Sequence, residues 1–505
     1  IAAAMRGPLS SGPGPNPKKI WQGDMIDFRP VLFINGILLC ILAVAMVLPA
    51  LVDIASGHPD WQVFMASASV TLFVGVSLIL TTRSGWSGFS LRQAFVMTTM
   101  AWVVIALFGA LPFSFAGLSL DFTDAFFEAM SGVTTTGATT IVGLDYAPPG
   151  ILLWRAILQW LGGIGIIVMA VAMLPILQVG GMQMFRVEAF ETDKVLPRAA
   201  QIAGEISFMY VLLTALSAFA LWLLGMNGFD AVVHAMTSIA TGGFSTYDAS
   251  VGQFDSAAID YAISFIMLLG SVPFVLYLRA ARGNPKAFLR DSQVQAMMAI
   301  MVTVILLLTL FLVLGEQLTF LPALRYTTFN VISIMTGTGY ATADFDNWGG
   351  FAMAIFFVLM FIGGCAGSTT CGIKIFRVQI LAATALTQLK RLMQPHGVFI
   401  AYYQGRPVTE QVSLSVMSFF FLFITTFGLV AAALGATGLD FITAISGAAT
   451  AISNVGPGLG DIIGPSGNFA TIPDSAKWVL GAAMLLGRLE LFTVLVLFMP
   501  NFWRG

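Results

Sequence analysis

Long apolar runs separated by short polar segments fill most of the chain. Runs of about 20 apolar residues have the length that a helix needs to cross a bilayer. Two such runs come first, near Val31 to Leu51 and Trp61 to Leu80, and the later ones come in pairs. The pattern therefore predicts an all-α membrane protein with ten spans. The four later pairs are predicted near Phe95 to Phe115 and Ile151 to Leu177, Ile206 to Leu224 and Ile259 to Tyr277, Val294 onward and Phe351 to Leu386, and Val412 to Leu434 and Trp478 to Phe498.

Between the two spans of each pair lies a shorter apolar run that ends in a polar loop with glycine. The run from Asp124 to Met130, even with its neighbours, is too short to cross about 30 Å of hydrocarbon, so the chain must turn back. Polar backbone at membrane depth is tolerated where it is buried in protein or lines water, which indicates a pore. The four loops contain Gly137, Gly243, Gly339 and Gly456, each preceded at the sixth position by a hydroxyl: Ser131, Thr237, Ser333 and Thr450.

The recurrence of these loops predicts four repeats of span, pore loop and span around one pore, preceded by an accessory pair of transmembrane helices. The copies follow one another at about 100 residues, as expected for two spans with a half-helix between them. The predicted units are a disordered tail or expression remnant (1–24), the accessory pair (25–90), and repeats one (91–180), two (181–285), three with an intramembrane gating loop (286–395) and four (396–505).

The composition agrees with this class and excludes a soluble enzyme. Hydrophobic residues make up 58% of the chain and charged residues 10%, with a mean hydropathy of +0.89. Soluble proteins carry about 25% charged residues. No catalytic triad, metal-ligand cluster or carboxylate pair indicates an enzyme.

The positive charges are segregated by side. All but four of the 23 Lys and Arg residues fall on the face opposite the polar loops. The exceptions are Arg155, Arg325 and Lys477 on the loop side, and Arg488 within a span. Because Lys and Arg stay on the cytoplasmic side during insertion, the loops are predicted to open outward, where acidic residues concentrate cations.

The loops have the chemistry of a cation selectivity filter. A permeant cation exchanges its water for oxygen ligands, and backbone carbonyls turned toward one axis require the positive φ that glycine adopts freely. The alternative is that Gly and Thr only help helices to pack. Because glycine alone is common to all loops, we expect one well-formed dehydrating site and weaker discrimination against Na⁺ than in a longer filter. The predicted filter is Thr135, Thr136, Gly137; Thr241, Gly242, Gly243; Gly337, Thr338, Gly339; and Asn454, Val455, Gly456, with K⁺ at Thr136, Gly242, Thr338 and Val455.

A glycine-rich interruption of the third return span is the predicted gate, the alternative being a kink that accommodates a neighbouring helix. Arg488 lies at a helix centre, where it costs about 2.5 to 3.5 kcal/mol on insertion scales. Glu490 is two residues away and does not share its helix face, so we expect Arg488 to point at this loop as a barrier; a structural ion pair is the alternative. The predicted gate is Gly363, Gly364, Cys365, Ala366, Gly367, Ser368, Thr369, Thr370, Cys371 and Gly372, with Lys374, which alternatively snorkels, and Arg488.

Six stretches together resemble the bacterial Trk potassium uptake proteins, specifically their TrkH and TrkG membrane subunits, from about residue 28 onward. They are Thr134 to Thr140, Gln159 to Gly163, Gly242 to Thr246, Gly363 to Thr369, Asn454 to Gly460 and Gly487 to Phe492. The resemblance implies a K⁺-translocating homodimer in the bacterial inner membrane, with the filter loops facing the periplasm. It also implies a cytosolic TrkA-like ring on the basic face, which binds NAD or an adenine nucleotide and controls gating.

Two departures from that family stand out. Thr370 and Cys371 occupy positions where relatives usually have further glycines, which would stiffen the gate. The third loop reads Gly337-Thr338-Gly339-Tyr340, closer to an ordinary potassium channel, so its selectivity need not match that of its relatives.

Three functions remain open from the sequence. The first is potassium uptake, as a gated channel or as a symporter with H⁺ or Na⁺. The second is the potassium-translocating subunit of an ATP-driven pump, which would need a separate ATPase because no loop of this chain could house a nucleotide domain. The third is a membrane sensor that binds ions without transporting them.

Overall fold

The computed structural model describes residues 26–83, 90–118, 120–172 and 195–504, and the regular structure there is almost entirely helical. One exception is a small antiparallel hairpin, in which Tyr402–Tyr403 pairs with Arg406–Pro407. The predicted tail (1–24) and the first part of predicted repeat two, including Arg186, lie outside the described residues.

Seven helices in the described ranges are long and apolar enough to cross a membrane, or up to nine if each of two bent pairs counts as one span. The eighth predicted span, Phe351 to Leu386, is divided into two helices by its interruption, and the first helix alone is too short to cross. The long helices are α1 (Arg29–Ser56), α2 (Trp61–Thr82), α3 (Leu91–Gly109, continued by α4, Leu111–Phe115), α6 (Pro149–Ala172), α7 (Val195–Leu223), α12 (Ser292–Leu314) and α16 (Glu410–Ala436).

Four short helices occupy the positions of the predicted half-helices. They are α5 (Phe122–Val133), α8 (Gly228–Ile239), α13 (Phe320–Met335) and α17 (Phe441–Ser453). Three of them begin at a side-chain cap: Asp121, Asn227 and Asp440 each accept a hydrogen bond from a backbone N–H of the first turn. Such caps satisfy donors that a helix start would otherwise leave unpaired.

Two regions predicted as single spans are sharply bent. The axes of α9 (Ala257–Ser271) and α10 (Phe274–Ala281) meet at 92°, and those of α18 (Asp474–Arg488) and the segment Phe492–Phe498, which begins with α19 (Phe492–Leu495), meet at 108°. Pro273, which has no N–H to continue a helix, explains the first bend. At the second, Glu490 and Leu491 have φ of 58° and 51°, outside the helical region.

The remaining helices lie in the predicted third repeat and at the end of the described chain. The third return consists of α14 (Gly350–Phe361) and α15 (Ile375–Met393), separated by residues 362–374; α11 (Ala287–Arg290) and α20 (Pro500–Arg504) are short.

The accessory pair α1 and α2 packs against α3, α4 and α6 through buried apolar side chains, and one buried carboxylate adds a hydrogen bond. Asp53 of α1 is fully buried, and its Oδ1 accepts a 2.7 Å hydrogen bond from the N–H of Gly150 in the first turn of α6. A carboxylate at this position interacts favourably with the positive end of a helix. The accessory pair is thereby fixed against the first return helix.

Candidate ion-conduction site

The four short helices end in the same backbone turn. In each one the residue two before the loop glycine has a left-handed conformation, with φ of 52° at Thr135, 51° at Thr241, 69° at Gly337 and 53° at Asn454. Each of these residues donates its N–H three residues back, at 3.0 to 3.3 Å, and the next residue donates five residues back, at 2.8 to 3.0 Å. These are the two hydrogen bonds of a Schellman turn. The acceptors of the longer bond are the carbonyls of Ser131, Thr237, Ser333 and Thr450, the hydroxyl residues noted in the sequence.

Two of these turns hold a β-branched residue in a conformation that costs roughly 1 to 2 kcal/mol for an L residue. Thr135 and Thr241 keep it because they are enclosed: Thr135 is fully buried, and Thr241 Oγ1 donates to Thr369 Oγ1 at 3.2 Å. Retained strain of this kind occurs preferentially at functional sites.

The four loop glycines contact one another's loops in a closed cycle, called here the glycine ring (Gly137, Gly243, Gly339 and Gly456). A methyl group built on Gly137 would overlap the carbonyl oxygen of Gly242. The same holds for Gly243 against Thr338 and for Gly339 against Val455, while on Gly456 it would lie 2.8 Å from the oxygen of Thr136. Each loop thus meets the carbonyl that precedes the glycine of the next loop, and the fourth meets the first.

All four glycines of the ring line one small open cavity of about 70 Å³. Arg155, Tyr247 and Asp248 also line it. Of the residues that the sequence assigned to a filter, the structure therefore brings the four loop glycines together at one cavity.

Gln159 of α6 supports the second loop from behind. Its Nε2 donates to the carbonyl of Gly242 at 2.5 Å, and its Oε1 accepts from the N–H of Phe244 at 3.1 Å. A Cβ on Gly242 would collide with this amide. The carbonyl of Gly242, predicted as a K⁺ ligand, therefore already accepts one hydrogen bond. In a symmetric filter all four carbonyl ligands would have the same hydrogen bonds.

Tyr340, the residue that departs from the expected third loop, connects two loops. Its ring is fully buried, and its hydroxyl makes a short hydrogen bond with Thr237 Oγ1 of α8. Its carbonyl accepts from Ser333 Oγ at 2.7 Å. The tyrosine thus ties the third loop to the helix behind the second.

A buried ion pair holds the first two loops. Glu128 of α5 and Arg155 of α6 are 0% and 1% exposed, with 2.7 Å between Oε1 and Nε. Glu128 also accepts from the N–H of Thr140 at 2.9 Å, and Arg155 Nη1 donates to the carbonyl of Ser245 at 2.7 Å. The guanidinium lies 4.0 Å from the centre of the Phe244 ring. Both charges are therefore compensated, as burial requires.

The other two cations on the loop side are paired as well. Arg325 Nε lies 2.7 Å from Asp260 Oδ2, which joins α13 to α9, and Lys477 Nζ lies 2.6 Å from Asp124 Oδ1, which joins α18 to α5. Each pair links two different predicted repeats. None of these cations opposes an approaching cation with an uncompensated charge.

Asp346 links the third and fourth loops, and its carboxyl group has a raised pKa. Its Oδ2 accepts from the N–H of Gly460 at 2.7 Å. Its pKa is raised from 3.8 to about 6, mainly by burial, with a smaller contribution from the neighbouring Asp344 and Asp461 and against the opposing effect of the Gly460 bond. In the second loop, burial and a hydrogen bond to Asp230 raise the pKa of Tyr247 to about 12.

The interruption between α14 and α15 lies directly against the C-terminal ends of α8 and α9. Thr369 Oγ1 donates to the carbonyls of Ile239, at the end of α8, and Gly270, at 3.0 and 2.9 Å. The N–H groups of Cys365 and Thr369 donate to Ser271 and Gly270, both at 3.2 Å. Part of the backbone of this predicted gate is thus satisfied by the α9–α10 bend.

Arg488 contacts this interruption. Its side chain is 1% exposed, and its Nη1 donates to the carbonyl of Thr369 at 3.1 Å and lies 2.6 Å from Cys371 Sγ. Its Nη2 donates to the carbonyl of Gly162 in α6 at 2.9 Å. Glu490, the sequence neighbour considered as its partner, pairs with Arg377 instead.

The predicted gate residues occupy one continuous segment. Lys374, considered as a snorkelling residue, is buried and donates to the carbonyl of Thr370. The segment is closed by a bridge in which Gly363 N–H donates to Ile373 and Ile373 N–H donates to Phe361, both at 2.9 Å. Gly364, Ala366, Gly367, Ser368 and Gly372 fall within it.

The available ligands suit an alkali cation. The described residues contain no group of three or more His, Cys, Asp or Glu that would hold a transition metal. The ring offers backbone carbonyls, which are the oxygen ligands of potassium-selective sites. Sequence reasoning missed Gln159, the Glu128–Arg155 pair and the Tyr340–Thr237 bond; two charged residues in otherwise apolar helices near a loop were the available signal for the pair.

The chain is similar to known membrane transport proteins over nearly all its length. Residues 60–504 match the model of the TrkH family, described as cation transport protein. Trk system potassium uptake protein TrkI of Halomonas elongata is 47% identical over 481 residues, 94% of this chain and 97% of that protein. TrkH of Salmonella typhimurium is 40% identical over 488 residues, 95% of this chain and 100% of that protein. The crystal structure of the potassium transporter TrkH from Vibrio parahaemolyticus superposes with a TM-score of 0.88 at 38% identity, covering 95% of this chain and 100% of that one.

Proposed function

Since this chain belongs to the TrkH family of cation transport proteins, we propose that it takes up potassium through the centre of the glycine ring. The family consists of transporters and not enzymes, and the fold is that of an all-α membrane protein. The reported relatives are Trk uptake proteins, and they give no support to the alternative of a pump subunit.

The closed cycle of contacts among Gly137, Gly243, Gly339 and Gly456 is the observation that carries the proposal. Four loops that touch in sequence around a cycle surround one axis, and their glycines line one cavity. The carbonyls of Thr136, Gly242, Thr338 and Val455 are the oxygens proposed to replace the water of a K⁺ ion. The C-terminal ends of α5, α8, α13 and α17 lie next to these loops and add a field that favours a cation.

The loop from Gly363 to Gly372, with Lys374 and Arg488, is proposed as the gate. Thr369 bonds to the end of α8, and Arg488 adds a positive charge beside the loop. A buried cation held there by carbonyls raises the energy of a second cation in the same place. Passage of a K⁺ ion through the proposed gate therefore requires the loop and the Arg488 guanidinium to move away from the pore axis.

The proposal also includes the four repeats with their predicted bounds. We further propose that the chain lies in the bacterial inner membrane, with the filter loops facing outward. The basic side, including Arg279 and Arg290 near α10 and α11, is proposed to face the cytoplasm. Following the resemblance, a homodimer and a TrkA-like ring carrying NAD or an adenine nucleotide are proposed to assemble on that side. Coupling to H⁺ or Na⁺ is decided by the experiment below.

Flux into vesicles containing the purified chain tests the function. We expect ⁸⁶Rb⁺ accumulation that follows an imposed K⁺ gradient, that K⁺ inhibits, and that Na⁺ inhibits less. Gly243→Ala should strongly reduce the preference of this accumulation for K⁺ over Na⁺, while Gly428→Ala, on a lipid-facing part of α16 with no atom near the added methyl, should not. Accumulation driven only by a pH or Na⁺ gradient would show a symporter. Ion binding without flux would instead favour a sensor and would overturn the proposal.

A further inference from the structure

An apolar groove lies where the accessory helix α1 meets the conduction region. It is an open cavity of about 440 Å³ between α1, α3 and α6, lined by residues such as Leu38, Ala101, Trp102, Leu161 and Gly165. The described residues around it include no charged side chain. Thr98, a polar member of the lining, donates its hydroxyl to the carbonyl of Ala94 at 2.8 Å.

The groove lies at membrane depth, in the half nearer the basic side. The lining residues of α1, Ile34 to Leu42, begin five residues after its start at Arg29, which is about 8 Å along the axis. The lining of α3 begins at Met97, six residues after its start, and that of α6 falls in its second half. Three independent helices therefore place it at one level.

The inner wall of the groove is also the support of the proposed gate arginine. Trp102 lines the groove, and the Arg488 guanidinium carbon lies 5.5 Å from the centre of its ring. Gly162 lines it too, and its carbonyl accepts from Arg488 Nη2. One layer of residues thus separates the groove from Arg488.

We propose that this groove binds one acyl chain of a membrane lipid from the leaflet on the basic side, and that the bound chain holds Trp102 and Gly162 against Arg488. At this depth the groove is surrounded by the hydrocarbon of the bilayer, which contains no water to form hydrogen bonds. Apolar cavities of about 150 Å³ already bind molecules the size of benzene, and this one is larger. The mouth is continuous with lipid-facing surface, since Ile41 in the lining is 51% exposed. The effect on transport rests on the proposed function; the binding itself does not.

Photo-crosslinking in vesicles tests the binding. The probe is a phosphatidylglycerol whose acyl chain carries a diazirine, and labelled peptides are read by mass spectrometry. We expect label on α1 or α3 residues of the groove. Gly165→Leu, whose Cβ would lie 3.8 Å from the Trp102 ring, should fill the groove and reduce that label at least fivefold. Leu38→Trp fills it from α1 as a second variant.

Gly428→Leu is the matched control, because its Cβ meets no atom within 4 Å on a span outside the groove. It should leave groove labelling unchanged. Label on α16 without label in the groove of the wild type would overturn the proposal, since the probe would then reach the protein surface without entering the groove.

Flux in vesicles of different chain length tests the effect on Arg488. Wild-type ⁸⁶Rb⁺ flux should change at least twofold between lipids with short and long acyl chains, and Gly165→Leu should lose this dependence while Gly428→Leu retains it. If Gly165→Leu keeps the wild-type dependence, the coupling to Arg488 is wrong. Absence of wild-type flux would contradict the proposed function, and the crosslinking result would still decide whether the groove binds lipid.

Discussion

Arg488 donates a 3.1 Å hydrogen bond from Nη1 to the carbonyl oxygen of Thr369, 119 residues earlier in the chain. The bond joins the last return helix to the interruption of the third. It connects a permanent charge to a segment whose backbone also donates hydrogen bonds to the α9–α10 bend.

Replacing Arg488 with Gln should increase ⁸⁶Rb⁺ flux about tenfold or more. Hydrogen bonds from charged groups contribute about 1.5 to 3 kcal/mol each, and 1.4 kcal/mol changes an equilibrium tenfold. Vesicle flux is the measurement. Arg488→Lys keeps the charge but loses the guanidinium that bonds to two carbonyls at once. Its flux should therefore lie between that of the wild type and that of Arg488→Gln. Wild-type flux in both variants would rule out a gating role.

Alanine at the ring glycines should reduce the preference for K⁺ over Na⁺ in a defined order. An added methyl overlaps a neighbouring carbonyl at Gly137, Gly243 and Gly339, whereas at Gly456 it lies 2.8 Å from one. Gly456→Ala should therefore retain more selectivity than the other three variants. Permeability ratios from competitive flux provide the comparison. Equal selectivity in all four variants and the wild type would refute the filter.

Tyr340→Phe should lower K⁺ selectivity while leaving the protein folded. The change removes the hydroxyl that bonds to Thr237, and a buried hydrogen bond contributes about 1 kcal/mol. Thr237→Val removes the other partner, so the double variant should be no worse than either single one. Additive losses in this cycle would show that the two side chains act independently.

Removing one partner of the Glu128–Arg155 pair should destabilise the protein more than removing both. A broken buried pair leaves an uncompensated charge at a cost of about 3 to 5 kcal/mol, whereas an apolar replacement of both is tolerated better. Thermal unfolding in detergent of Glu128→Gln, Arg155→Met and the double variant makes the comparison. A double variant less stable than Arg155→Met would contradict this account.

Asp346 should make stability depend on pH between about 4 and 6. Because its folded-state pKa is about 6 and its ordinary value 3.8, the folded protein holds the proton more tightly. Its stabilising contribution is full below about pH 4 and is lost as pH rises through about 6. Asp346→Asn should therefore show a smaller fall in unfolding temperature from pH 5 to pH 7 than the wild type. Asp145→Asn, at an exposed position, is the control and should keep the wild-type fall.

The sequence was sufficient for those features that depend on local composition. Spans, short helices and loop glycines follow from runs of apolar residues and from the few residues able to adopt positive φ. The Schellman turns at Thr135 and Thr241 were missed, because threonine disfavours that conformation and only enclosure by neighbouring loops maintains it. The α18–α19 bend was missed as well, since Glu490 and Leu491 are not helix breakers by type.

The sequence by itself determined that this is a membrane protein with four polar loops. The reason is that the hydropathy of a segment and its place in the chain do not depend on how the segments pack. The tertiary structure alone decided which carbonyl faces which glycine and that Glu490 pairs with Arg377 across 113 residues. It also decided that Gln159 reaches the carbonyl of Gly242. Such contacts join residues far apart in the chain, and they arise because buried charges and carbonyls must find partners wherever the packing of the helices brings them.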